Sequence, residues 1–172
     1  NTPEGSIIAT HDVGAIAFYS DRKVLDVVGL INPEFISKLN KKEFVGFVLE
    51  QLKTQNVSYM AFLKEWFQVV NQEPLFEGGD QNFEIMQIFK YDPEKTHILS
   101  TEANSGIQYA VNLINARQYQ QALNVLKQVA AMDPKGSLTY IRMAYVYTAL
   151  NDPVSAEKSL LKAIEIYPGY RD

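Results

Sequence analysis

The C-terminal part of this 172-residue chain repeats with a period of 34 residues. Each copy holds two helical patterns, and such a period predicts pairs of antiparallel helices. Alanine at fixed offsets lets two helices approach closely, and larger neighbours fill the space beside them. The positions that match across the period are Ala110 and Ala144, Ala122 and Ala156, and Pro134 and Pro168. The neighbours expected to fill the space are Tyr109, Leu113, Leu126, Tyr147 and Leu160.

This pattern resembles the tetratricopeptide repeat (TPR), a helix-turn-helix unit of the same period. The resemblance implies two copies, 103–136 and 137–170, in a C-terminal region that spans 102–172. Repeats of this kind are scaffolds for contacts and rarely carry chemistry, so the resemblance implies a binding role. Because about three copies are usually needed to stand alone, we expect much of the repeat surface to be covered by the rest of the chain.

Composition excludes several classes of protein. The net charge of -4 and the absence of a basic face argue against nucleic acid as a partner. The chain has no cysteine, which excludes disulfides and thiolate metal sites, and no spacing of residues predicts a metal or another cofactor. No apolar run reaches the ~18 residues needed to cross a bilayer. The chain begins at Asn1 rather than at a methionine, so we expect a fragment or a processed product.

Residues 1–101 predict a small domain with a mixed sheet, which makes the predicted class of the whole chain α+β. Two strand-helix-strand units come first, and this order favours parallel pairing. Residues 65–70 indicate one or two helical turns. The segments 83–89 and 96–100 predict an antiparallel hairpin at the sheet edge. The first three strands are expected at 6–10, 24–28 and 59–63, and the helices at 13–19 and 41–55.

A second resemblance to a known family is carried by three stretches: His11 to Tyr19, Arg22, and Val24 to Pro33. They are similar to the soluble segment that follows the last membrane helices of bacterial GT-C glycosyltransferases, which resemble the dolichyl-phosphate-mannose protein mannosyltransferases. The resemblance implies an accessory domain on the extracytoplasmic, periplasmic side of a membrane enzyme. The catalytic carboxylate of that family is expected in the membrane part, so no catalytic residue transfers to this chain.

Three polar residues stand where an open α/β sheet places ligands, at the carboxyl ends of strands. His11 and Asp12 follow the first strand, and Asp26 ends the second. For His11 and Asp12, one interpretation is contact with a sugar or a lipid phosphate, or positioning against the membrane part. The structural alternative is that Asp12 caps the next helix, that His11 is a partly exposed neighbour, and that Asp26 pairs with Arg22, Lys23 or backbone donors. His97 stands alone on an expected edge strand, and its interpretation is structural.

The first helix of each repeat is expected to line a groove, which is the better candidate for a binding site. One hypothesis is a protein or peptide site in which Asn and Arg hold a backbone or a carboxylate. The other is that this surface is packed on the α/β layer. Leu161 and Ile164, near the end of the repeats, are candidates for a homodimer contact. The groove residues are Asn104, Ile107, Gln108, Val111, Asn115, Leu138, Ile141, Arg142 and Tyr145.

These observations predict a non-catalytic extracytoplasmic domain of a membrane glycosyltransferase-like protein, which makes contacts through its repeats. The partner is a protein, a peptide or the membrane-embedded part of the same chain. One alternative is a free-standing TPR adaptor with an α/β cap, which would place the chain in the cytoplasm. Another is a sugar-processing enzyme that acts through Asp12 and Asp26.

Overall fold

The computed structural model describes residues 2–39, 41–79 and 84–171. It confirms the predicted α+β class, with a five-stranded mixed sheet and a helical C-terminal part. No helix in these ranges combines the length and the apolarity that a membrane crossing requires. The strands are β1 (Ile7–Thr10), β2 (Lys23–Asp26), β3 (Tyr59–Leu63), β4 (Val69–Val70), β5 (Phe76–Gly78), β6 (Met86–Lys90) and β7 (His97–Ile98). The helices are α1 (Val13–Ser20), α2 (Phe44–Thr54), α3 (Thr101–Asn115), α4 (Tyr119–Met132), α5 (Ser137–Ala149) and α6 (Pro153–Ile166), with 3-10 helices at Pro33–Lys38 and Pro168–Arg171.

The chain divides into two compact units. The sheet unit comprises Asn1–Gln68 and Glu73–Thr96, and the helical unit comprises Val69–Gln72 and His97–Asp172. The helical unit therefore contains a short two-stranded ribbon, formed by the antiparallel pair β4 and β7. We call residues 69–72 and 97–100 the ribbon.

The five-stranded sheet has the order β2-β1-β3-β6-β5. β1 lies parallel to both β2 and β3, which confirms the first predicted parallel pair and the common direction of the three strands. In the second predicted unit, however, β3 pairs with β1 rather than with β2. β6 lies antiparallel between β3 and β5, so both of its edges are occupied. The predicted hairpin of this strand with the following one is therefore wrong, and β7 pairs with β4 instead. Phe83, which we placed in that hairpin, lies outside the described residues.

The segment between β3 and β4 is helical only at its start. The amides of Trp66 and Phe67 both donate to the carbonyl of Leu63, at 3.0 Å each, and close one tight turn. Val69 and Val70 then form β4 and are buried. The helical prediction is wrong for these two residues, because β-branched side chains favour extended backbone and β7 offers a pairing edge.

The centre of one face of the sheet is buried. Ala9, Met60 and Phe89 are neighbours across β1, β3 and β6, and each is inaccessible to solvent or nearly so. Phe62 extends this face one step along β3, as the alternation of side chains in a strand requires. The sheet unit therefore has a real apolar core, to which α2 adds one buried stripe of Val45, Val48 and Leu52.

The two helix pairs of the helical unit repeat each other in backbone detail. Arg117 in the turn from α3 to α4 has φ 57°, and Asn151 in the turn from α5 to α6 has φ 58°. In the first turn the next amide, that of Gln118, donates back to the carbonyl of Leu113 at 2.8 Å. In the second turn the amide of Asp152 donates back to the carbonyl of Tyr147 at 2.9 Å. These positions are separated by the period of 34 residues that the alanine spacing shows.

Small residues lie where the helices meet. Leu113 and Leu126 are buried beside them, as predicted. The prediction is wrong for Tyr109, which lies on the outer side of α3 and is 57% exposed, and for Leu160, which is 44% exposed. α5 follows α4 and covers Leu126, whereas only a short 3-10 helix follows α6 in the described chain. The alanines that are buried as predicted are Ala110, Ala122, Ala144 and Ala156.

Candidate functional site

The three predicted sheet-end residues lie at one edge of the sheet. In the register of the parallel strands, Thr10 is opposite Asp26 on one side and Ala61 on the other. Parallel strands end at the same edge, so His11 and Asp12, which follow β1, lie near the end of β2. This edge is the place where ligands bind in open α/β sheets.

Asp26 organises the loop that follows β2. Its carboxylate accepts hydrogen bonds from the amides of Val28 at 2.9 Å, Gly29 at 3.0 Å and Ile31 at 2.6 Å. The Asp26 amide in turn donates to Oδ1 of Asn32, at 2.9 Å. The side chain is wholly buried, so these backbone donors offset the cost of burying its charge.

The backbone alternative for Asp26 is thus confirmed, and the ion-pair alternative is wrong. Arg22 donates to the carbonyls of Thr2, Pro3 and Asp21, at 2.9, 3.1 and 2.9 Å. A carboxylate held by three amides and closed off from solvent is suited to fix a loop. It is not placed to attack a substrate or to exchange a proton with one.

Asp12 occupies the N-cap position of α1, but its side chain makes no capping hydrogen bond. The capping role that we expected for this side chain is therefore wrong. The hydroxyl of Thr10 instead accepts from the Asp12 amide at 3.1 Å, which turns the chain from β1 into the helix. The Asp12 side chain is exposed beside the first turn of α1.

His11 is buried, which corrects our expectation of a partly exposed side chain. Its ring lies 5.1 Å from Trp66, 6.0 Å from Phe67 and 6.5 Å from Phe62, measured between centroids. Neither ring nitrogen has a hydrogen-bond partner within the ranges that the structure describes. Burial lowers the pKa of His11, and the carboxylates of Asp12, Glu84 and Asp26 only partly offset this effect. The imidazole is therefore neutral near pH 7.

The ribbon covers part of the predicted groove. Val70 and Leu99 of the ribbon join Ala103, Ile107 and Val129 in one buried apolar cluster. Two further groove residues, Val111 and Leu138, are half-buried against the same cluster. This part of the predicted groove surface is therefore packed, and what covers it is the ribbon of the helical unit.

The rest of the predicted groove is accessible. Gln108, Asn115, Arg142 and Tyr145 are exposed, and the Tyr145 side chain is 56% accessible. We call these four residues the open part of the groove. Asn104 and Ile141 are half-buried, and the Oδ1 atom of Asn104 is buried without a hydrogen-bond partner in the described chain. The two candidates for a dimer contact also differ, since Leu161 is exposed and Ile164 is half-buried.

Comparison with known families assigns the chain. The sequence model of a family described as a domain of unknown function, DUF8728, matches residues 1–144. The chain belongs to this family. The DUF8728 match covers the sheet unit, the ribbon, α3 and α4, and it ends within α5. Neither the comparison with curated proteins nor the one with solved structures found a match.

Sequence reasoning missed one pair of residues in this DUF8728 chain. His97, which we interpreted as isolated, has its Nε2 atom 2.8 and 3.0 Å from the two carboxylate oxygens of Asp133. Asp133 follows α4, so the pair ties the ribbon to the end of that helix. The two residues are 36 positions apart and belong to no local motif, so only the pairing of β7 with β4 could have revealed them. No group of three or more metal-ligating side chains occurs in the described part of the chain.

We expect Asp26→Asn to lower the free energy of unfolding by about 2 kcal/mol, since hydrogen bonds to a charged acceptor are worth about 1.5–3 kcal/mol. The side-chain amide of the new Asn would also direct an N–H donor at one of the three backbone amides, which is itself a donor. Urea unfolding of the 172-residue chain measures the loss. Asp12→Asn is the control, and it should change stability by less than about 0.5 kcal/mol because that side chain is exposed. Equal effects of the two substitutions would contradict the loop role of Asp26.

Stability should also fall in mild acid because of His11. The pKa of His11 is lower in the folded chain than in the unfolded chain, so the unfolded state binds the proton more tightly. Unfolding therefore becomes easier as the pH drops below the unfolded value of about 6.5, by at most about 1.4 kcal/mol per pH unit. His11→Phe fits the aromatic surroundings and should remove this component. Urea unfolding of both proteins from pH 8 to pH 5 tests it, and parallel pH profiles would show that His11 is not responsible.

Proposed function

We propose that this DUF8728 chain is a non-catalytic protein-contact domain that binds a protein or peptide through the open part of its groove. The observation that carries the proposal is the pair Arg142 and Tyr145, one turn apart on α5 and both exposed. Across the described ranges, neither side chain has a hydrogen bond or an ion pair. Arginine and tyrosine are the residue types that dominate the energetics of protein interfaces.

The chemistry of the open part favours an extended peptide segment with a carboxylate. The Arg142 guanidinium presents a planar fork of donors that matches a carboxylate. The side-chain amides of Gln108 and Asn115 can each donate to a peptide carbonyl and accept from a peptide amide. Ile141, half-buried beside Arg142, supplies an apolar contact.

The ribbon supports the proposal because it limits the site. Its contacts with Ile107 and Leu138 close one part of the first-helix surface, while the amides and Tyr145 stay accessible. A rigid, partly closed surface loses little conformational entropy on binding, which favours affinity from a small contact area.

Two features of the sheet unit favour a non-catalytic role. The Asp26 carboxylate is committed to three backbone amides and is wholly buried. Asp12 is exposed, and its side chain makes no capping hydrogen bond to α1. The hypothesis of a sugar-processing enzyme that acts through this pair therefore loses one of its two carboxylates.

The setting that we propose for the domain is the periplasmic side of a membrane glycosyltransferase-like protein, with TPR-type repeats for contact. The support is the resemblance of residues 11–33, which contain α1, β2 and the loop after β2, together with the repeated helix pairs. The alternative is a cytoplasmic adaptor. Apolar membrane spans upstream of Asn1 in the full-length gene would favour the first setting, and a start without such spans would favour the second.

The binding proposal predicts that peptides selected from a random displayed library on the 172-residue chain will depend on α5. We expect Tyr145→Ala and Arg142→Ala each to weaken the selected peptides about tenfold or more, as interface hot spots do. Fluorescence anisotropy of a labelled peptide measures the affinity. Both residues are exposed, so thermal unfolding of the variants should stay close to that of the parent chain.

Tyr109→Ala is a matched control because Tyr109 is as exposed as Tyr145, at 57% against 56%, but lies on another side of its helix. Its affinity should remain within about twofold of the parent, as for residues outside a hot spot. Failure to select any peptide would contradict the proposal. So would selected peptides that lose affinity with Tyr109→Ala and keep it with Tyr145→Ala.

A further inference from the structure

The second face of the sheet is only partly covered. On this face, Ile8 of β1 is opposite Tyr59 of β3, and Ala61 of β3 is opposite Ile88 of β6. Tyr59 and Ile88 remain half-buried, in contrast to the closed face formed by Met60 and its neighbours. Protein interiors are close-packed, so an incompletely covered apolar face leaves usable space.

Helix α1 lies at the side of this space without closing it. The helix is apolar in sequence, yet it has no buried residue, and Phe18 and Tyr19 are 80% and 83% exposed. A cavity of about 510 Å³ remains between α1 and the strands, in the size range of small-molecule sites. Its apolar wall consists of Ile8, Ala15, Ile16, Ala61, Met86 and Ile88.

One end of the cavity carries a fixed positive charge. Arg22 and Thr2 line it, and the Arg22 guanidinium is oriented by the carbonyls of Thr2, Pro3 and Asp21. All three acceptors are neutral, and among the described residues no carboxylate forms an ion pair with Arg22. A guanidinium has five N–H donors, so two remain for another acceptor.

We propose that this cavity binds a small amphiphilic carboxylate, with its apolar body against β3, β6 and α1 and its carboxylate on Arg22. The volume admits a medium-chain acyl or similar body, and the wall is mostly apolar. The pre-oriented guanidinium, which has no carboxylate partner in the described part of the chain, selects an anionic head over a neutral or cationic one. This site lies within the sheet unit and does not rest on the proposed contact function of the helical unit.

The test uses decanoate as the probe and the 172-residue chain with labelled Ile and Met methyl groups. Titration should shift the methyl signals of Ile8, Ile88 and Met86 in a saturable way, and leave those of Ile107 in the helical unit unchanged. Arg22→Gln should weaken decanoate about tenfold or more, since charged hydrogen bonds are worth about 1.5–3 kcal/mol, while decanol binding changes little.

Matched variants on α1 test the cavity without removing the hydrogen bonds that Arg22 makes to the backbone. Ala15 lines the cavity and Ala17 does not, and both are exposed residues of the same helix. Ala15→Phe should fill the space and abolish the decanoate shifts, and Ala17→Phe should bind like the parent. The proposal is overturned if decanoate gives no saturable shift below its micellar concentration. It is also overturned if decyltrimethylammonium binds as tightly as decanoate, or if Ala15→Phe binds like the parent.

Discussion

The helical unit depends on the contact between the ribbon and the turn from α4 to α5. Asn71, at φ 67°, points its side-chain amide at this turn, where it donates to the carbonyl of Lys135 at 2.8 Å and accepts from the amide of Ser137 at 3.2 Å. His97 and Asp133 form a second tie. These polar contacts set the position of an apolar cluster in which Val70 and Leu99 cover the first turns of α3. The cost of leaving buried polar groups unpaired makes this arrangement specific.

This contact decides which residues of the predicted groove remain accessible. Two helix pairs alone would expose a long apolar surface on α3 and α5, which is costly in water. The ribbon removes Ile107 from solvent and leaves Tyr145 accessible, so the surface that remains is small, polar and aromatic. The alanines that bring the helices together stabilise the pairs, but the ribbon defines the exposed surface.

In the sheet unit, by contrast, one buried carboxylate determines the shape of a loop. Asp26 lies on an otherwise apolar strand, and the loop after it turns around its side chain so that three amides point inward. The neutral ring of His11 lies nearby among aromatic side chains. The sheet end is therefore a fixed and largely apolar structure, and the cavity lies on the partly covered sheet face, beside the charge of Arg22.

Local patterns predicted much of this fold. The spacing of Ala110, Ala122 and Ala144 predicted the helix pairs, and the order of strands and helices predicted the parallel strands. The sequence could not predict the partner of β7, because pairing with β4 depends on which edges the other strands leave free. The bond from His97 to Asp133 depends on that pairing. The cavity was also missed, because its wall combines residues from α1, β1, β3 and β6, whose approach no local pattern records.

Native-state hydrogen exchange tests the central claim most directly, because it reports which segments open together. If the ribbon and the helices form one cooperative unit, the amides of β4 and β7 and the amide of Ser137 exchange with the same free energy of opening as the middle of α3. The account is contradicted if the ribbon amides exchange at a much lower free energy than α3. It is equally contradicted if they open together with β1 and β3 rather than with the helices.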